Sequence, residues 1–135
     1  MNKFCKVAID AVDLYRSQEK KDLNQAWALA VETNSASKTL GCPWATFITL
    51  CAYGFIKGIP RGNYADDLRE NRDHALKAMK LLNLEDIKSS YSKTIWDKLD
   101  MGVGHNGQID VIGGLYMNNM LDSSAIDDYK KTVSP

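Results

Sequence analysis

From the start of the chain, apolar residues fall at Phe4, Val7, Ala8, Ala11, Leu14 and Tyr15, the spacing of one face of a helix. This predicts a first helix with Asn2 as its N-cap. After the polar run Ser17 to Lys21, Asp22 is placed to cap a second helix that buries Leu23, Ala26, Trp27, Ala30 and Val31 and ends at Asn34, Ser35 and Ser37. Cys42-Pro43 opens a third helix, because proline suits a first turn whose amide hydrogens have no partner, and Gly54 closes it as a left-handed cap. Trp44, Phe47, Ile48, Leu50 and Cys51 surround much of that helix, which predicts a central place for it.

Gly58, Pro60 and Gly62 break the backbone too often for a regular element between Phe55 and Tyr64, so that segment reads as an ordered turn. A fourth helix follows from about Asn71 to Leu82 with Ala75, Leu76, Met79 and Leu82 inside, and Ile95, Trp96 and Leu99 suggest a shorter fifth. The last strong element runs from near Asn106 to about Met120 through Ile109, Val111, Ile112, Leu115, Tyr116 and Met117, apolar on more than one face. Gly113-Gly114 within it costs about 1 kcal/mol per glycine relative to alanine, which is tolerable where another helix backbone comes close. From Asp122 onward a frayed turn around Ile126 and Tyr129 is expected. With no alternating β-branched run, no repeat and no linker, the fold class is all-α: a single compact domain over residues 1–135 with about five to six helices.

Charge narrows the function. Seventeen Lys and Arg balance seventeen Asp and Glu among the 135 residues, so no global field draws the chain to a polyanion. A DNA-binding helix-turn-helix needs a turn of about three or four residues, whereas the turn after Gly54 is far longer. Between Lys57 and Lys80 six basic residues face four acidic ones, an excess of two that suits a solvated face better than a phosphate track. Tyr53, Tyr64 and Tyr91 stand singly and form no stacking platform. Nucleic acid is therefore a disfavoured partner.

Near the N-terminus Asp10 and Asp13 interrupt any signal-like apolar run, and Leu40 to Ile56 is broken by Gly41, Pro43, Thr46, Thr49 and Gly54. A cytoplasmic protein without a membrane partner is expected. Cys5, Cys42 and Cys51 are odd in number and lack paired spacing, and His74 and His105 are the two histidines, so neither disulfides, a metal site nor a cofactor is expected.

Cys42 at a helix N-terminus is placed to have its thiolate favoured, and His105 precedes another helix; paired, they would be nucleophile and base. They are the two catalytic candidates, against the reading that Cys42 is a small buried residue and His105 closes a turn. His105, Asn106, Gln108 and Asp110 gather hydrogen-bonding groups at the mouth of an apolar helix and are candidate ligand-binding residues. The structural alternative has Asn106 as N-cap and Asp110 tying down the Gly102 to Gly104 loop. Arg61 and Tyr64 complete the candidate set, in a glycine-rich turn able to hold phosphate or carboxylate or to act as a plain connection.

Gly41-Cys42-Pro43 with Phe47, Leu50, Cys51 and Gly54, then Lys57-Gly58-Ile59-Pro60 with Gly62 and Tyr64, Asn71 with Ala75-Leu76, and His105-Asn106, Gln108 and Asp110-Val111 together resemble a family of small uncharacterised bacterial proteins associated with mobile integron gene cassettes. The resemblance covers roughly residues 41–116 and departs at Gly113-Gly114, where bulkier residues are usual. It implies a bacterial accessory protein and no particular chemistry. The first functional expectation is a non-enzymatic binding module for a protein or small-molecule ligand, as monomer or homodimer. The alternatives are a small hydrolase or transferase using Cys42 and His105, and a nucleic-acid-associated regulator.

Overall fold

Helix α1 (Lys3–Ser17) turns Phe4, Val7, Ala8, Ala11, Val12 and Tyr15 inward, and α2 (Leu23–Thr33) answers with Leu23, Ala26, Trp27, Ala30 and Val31. The Asp22 carboxylate accepts the Gln25 amide at 3.1 Å, satisfying one unpaired donor of the first turn of α2. The computed structural model describes residues 3–36 and 41–132. The expected cap Asn2 and the expected stop at Ser37 lie outside them. The remaining helices are α3 (Gly41–Ala52), α4 (Glu70–Leu81), α5 (Ser92–Leu99), α6 (Gln108–Met117) and α7 (Ser123–Lys131), with a 3-10 helix at Leu84–Lys88. The protein is all-helical and forms one compact unit; among the described residues there is no strand, and one isolated antiparallel bridge joins Ile56 to Leu121.

Among the described residues seven α-helices exceed the five to six expected, and α7 accounts for the difference. It is polar, burying Ile126 alone, so apolar periodicity shows little of it. What holds it is capping. The Asp122 carboxylate accepts the Ala125 amide at 3.0 Å at one end. At the other, Lys80 of α4 donates to the Tyr129 carbonyl at 2.9 Å, while Lys130 donates to the Leu82 carbonyl that ends α4. Each lysine thus donates to a carbonyl at the C-terminal end of the other helix, where cations are favoured.

Helix α6 lies at the centre, packed against α1, α3, α5 and the 3-10 helix, with every residue from Gln108 to Leu115 buried. It starts at Gln108 rather than near Asn106, and its N-cap is Gly107 in the left-handed conformation (φ 90°), not Asn106. A side chain at Gly107 would meet the Phe4 ring at 3.1 Å and Pro43 at 3.2 Å, so the starts of α3 and α6 touch. Their ends touch too. Lys57 donates its amide to the Met120 carbonyl at 2.9 Å and Asp122 to the Phe55 carbonyl at 2.7 Å. The two helices therefore run side by side in the same direction.

The close backbone approach that a glycine pair in α6 called for is present. A Cβ on Gly114 would lie 2.5 Å from the Cys5 carbonyl oxygen and 2.9 Å from the Cys5 Cα, so α1 rests directly on the α6 backbone. Replacing Gly114 with alanine should therefore destabilise the fold by about 1–3 kcal/mol through overpacking, despite alanine's better helix propensity. Gly104, where an added Cβ meets nothing within 4 Å, is the control. Gly104→Ala should change the urea midpoint little, and equal midpoints for both variants would contradict the close approach.

Candidate functional site

The loop from Asp100 to Gly107 brings the predicted polar cluster together. Trp96 of α5 donates its indole N–H to the Val103 carbonyl at 2.8 Å and packs its ring 5.8 Å from that of His105, which fixes the loop over α5. His105 Nε2 then accepts the Ile109 amide at 3.2 Å, and the Gln108 side-chain oxygen accepts the Asn106 amide at 2.5 Å. Both serve the start of α6, whose cap Gly107 has no side chain to do so. Asp110 is 3 % exposed and accepts from the Ser92 hydroxyl at 2.8 Å, so it ties α6 to the start of α5 rather than to the Gly102 to Gly104 loop.

The second Asp110 oxygen lies 3.8 Å from His105 Nε2. These two are not an ion pair of the usual kind. The Nε2 atom already accepts an amide hydrogen, which a protonated ring cannot do, and burial holds His105 below its ordinary pKa against the opposing pull of Asp110. The imidazole is neutral with its proton on Nδ1. Ser92, Asp110 and His105 stand in an order in which the carboxyl touches the hydroxyl, so the histidine has no serine to deprotonate. Of this corner Asn106 is exposed, His105 is half-buried, and Gln108 and Asp110 are buried.

Cys42 is half-buried in the first turn of α3. Its carbonyl accepts the Thr46 hydroxyl at 2.9 Å, and none of its hydrogen bonds reaches His105, although Pro43 abuts Gly107. Burial pushes the Cys5 thiol upward, with the Asp110 charge adding to it, and pushes the fully buried Cys51 much further. Those two thiols are poor nucleophiles. Among the described residues no group of three His, Cys, Asp or Glu side chains is arranged to hold a metal ion.

Arg61 and Tyr64 lie elsewhere, in the turn after α3. That helix ends in a Schellman motif: Gly54 (φ 74°) donates to the Cys51 carbonyl at 3.2 Å and Phe55 to the Leu50 carbonyl at 3.0 Å. The Gly62 amide then returns to the Ala52 carbonyl at 3.2 Å, and Tyr64 folds its ring over Gly62 while its hydroxyl donates to the Pro60 carbonyl at 3.0 Å. Tyr64 thus locks the turn. Arg61 lays its aliphatic stem on Gly54, where a Cβ would sit 2.6 Å from Cγ.

Two adjoining cavities share Arg61 and Tyr53 as a wall. One, about 360 Å³, is also lined by Asn63, Asp66 and Arg72. The other, about 290 Å³, is bounded by Phe55, Asp128 and Tyr129. Among the described residues no acceptor engages the Arg61 guanidinium. The sequence reading missed Tyr53 and Arg72 as members of this site and Ser92 as the partner of Asp110. Arg72 had entered only as one charge in a mixed run, and no local pattern joins it to a turn some ten residues earlier. Lys57, the other cation of that turn, bonds Asn119 at 3.1 Å, and Arg16 caps the Lys57 carbonyl.

These features define a single-domain, all-helical protein with a buried polar corner and a separate arginine-lined cavity. The chain belongs to a family of unknown function (DUF6979), whose model matches residues 1–122. Neither the curated proteins nor the solved structures returned a match. The family match brings no link to integron cassettes or to bacteria. No helix of the described residues is long and apolar enough to cross a membrane.

The neutral His105 gives a pH dependence with a definite sign. Its folded pKa lies below the unfolded value near 6.5, so on acidification the unfolded chain takes up the proton first. This contribution is complete above about pH 7.5, declines as the pH falls through the unfolded value, and levels off below the folded one. Urea midpoints from about pH 7.5 to 5 should fall more steeply for the wild type than for His105→Gln. A shallower fall in the wild type would overturn the neutral assignment. Ser92→Ala, which strips the buried carboxyl of its donor, should cost about 1–3 kcal/mol at neutral pH.

Proposed function

We propose that the protein is a helical binding module without chemistry of its own, and that it takes a small-molecule ligand in the cavity around Arg61 and Tyr53. The observation carrying this reading is Arg61, which lines both cavities and whose guanidinium has no acceptor among the described residues. A cation held on a rigid turn and engaged by neither of the carboxylates that line its cavities, Asp66 and Asp128, is a group prepared for something from outside. Tyr64 acts in this reading by holding the turn, and His105, Asn106, Gln108 and Asp110 act by building the start of α6, since their polar atoms are already engaged with one another and with Ser92 and Ile109. A cysteine-dependent reaction would need a base for Cys42, and the Nε2 atom of His105 is occupied by a backbone amide. Its setting, following the resemblance to cassette-borne proteins, would be that of a bacterial accessory protein.

Ligand-observed NMR against a library of one-ring fragments tests the reading, with Arg61→Ala as the counter-screen. Fragments that bind the wild type should lose at least about ten-fold in affinity in the variant, the effect of removing one charge-assisted hydrogen-bonding group. Binding that is equal in the two proteins, or absent from both, would overturn the assignment.

A further inference from the structure

The same cavity carries a second guanidinium. Arg72, in the first turn of α4, lines it opposite the Arg61 turn, and its Nε atom is out of contact with water and without a hydrogen-bond partner. A buried N–H donor left without a hydrogen bond is unusual, because desolvating it without compensation is costly. Its neighbour Asp73 approaches to 3.5 Å without making a hydrogen bond. Asp66 also lines the cavity, yet it forms no ion pair with either arginine. Two arginines therefore border one space of about 360 Å³, Arg61 with no acceptor among the described residues and Arg72 paired only loosely, at 3.5 Å from Asp73 without a hydrogen bond. Guanidinium forks match the planar or tetrahedral oxygens of carboxylates and phosphates, where two parallel N–H donors meet two oxygens.

A bare anion would leave most of that space empty. Beyond Arg61 the neighbouring cavity is bordered by rings. Phe55 and Tyr129 have centroids 5.3 Å apart, and Tyr53 lies 6.0 Å from the first and 6.2 Å from the second. Such a cluster offers flat apolar contact to another ring.

Resting on the binding reading above, we infer that the ligand is an organic anion: a carboxylate or phosphate monoester gripped between Arg61 and Arg72, with a planar ring carried past Arg61 onto Tyr53 and Tyr129, which Phe55 backs from the core. No bond is made or broken.

The test uses four probes with the same ring, namely phenyl phosphate, benzoate, benzyl alcohol and benzylamine, with inorganic phosphate as the ring-free comparison. The Arg72 Nε–Hε resonance in a 15N-labelled wild-type sample is the direct readout. Phenyl phosphate or benzoate should move that resonance and bind more tightly than inorganic phosphate, and whichever moves it further identifies the anionic group. Arg72→Lys, which keeps the charge and the stem but loses the fork, should weaken phenyl phosphate by about ten-fold or more. If benzyl alcohol or benzylamine binds in an Arg61-dependent manner and neither anion does, the anion inference is overturned and the binding reading stands. Inorganic phosphate binding as tightly as phenyl phosphate overturns the ring. If anions bind without moving the Arg72 resonance, the grip of Arg72 is overturned. If no fragment of any charge binds, both the inference and the reading beneath it fall.

Discussion

The burial of α6 on all sides is the constraint on which the rest of the molecule depends. A helix removed from water at its first turn must find protein partners for amides that solvent would otherwise satisfy. Gly107 supplies the left-handed bend but no side chain, so His105 accepts the Ile109 amide, Gln108 reaches back to the Asn106 amide, and Ser92 meets Asp110. A dense run of polar residues before an apolar helix therefore has a structural cause here. It is the chemistry needed to bury a helix end, and α1 completes the burial by resting its Cys5 backbone on Gly114.

The same demand at the other ends of the helices shapes the functional surface. Both α3 and α6 finish in Schellman motifs, around Gly54 and Asn119, and the chains that emerge pair through Lys57 with Met120 and Asp122 with Phe55. Joining two helix ends by backbone bonds fixes the direction in which the chain leaves α3. Arg61 sits seven residues beyond Gly54 and is still held against it, because Gly62 and Tyr64 fold the turn back onto the helix. Rigidity at that point lowers the ordering cost of binding. It comes from satisfying helix ends rather than from any feature specific to a ligand.

Local rules made much of this legible. Helices that bury an apolar stripe, such as α2 with Leu23, Ala26, Trp27, Ala30 and Val31, follow from spacing, and the Asp22 cap follows from side-chain chemistry. The glycine pair in α6 pointed to a close helix before the helix in contact was known. Helix α7 was not legible, because it is stabilised by Lys80 and Lys130 reaching across from or to α4, pairs separated by nearly fifty residues. The same reason hid half of the cavity. Arg61 is marked by its turn, whereas Arg72 joins it only through the packing of α3 against α4. Polar density misled at His105 to Asp110 because the sequence does not distinguish groups that face a ligand from groups that face one another.

The charge balance of the chain sharpens the meaning of the two arginines. With equal numbers of acids and bases, a carboxylate is available for every cation, and several long cations on the surface find oxygen: Lys6 pairs with Asp10 at 2.7 Å, Lys93 with Asp97 at 2.8 Å, Lys77 with the Asp100 carbonyl at 3.2 Å, and Arg16 with the Lys57 carbonyl. Each of these contacts is worth little in water, and together they reflect how readily a flexible cation meets an acceptor. Arg61 makes no such contact although Asp66 lines the same cavity, and Arg72 comes within 3.5 Å of Asp73 without a hydrogen bond. Proximity to a carboxylate is not what they lack. The Arg61 stem is held against Gly54 at the edge of the cavity, beyond the reach of Asp66, so an acceptor for it must arrive from outside the described residues.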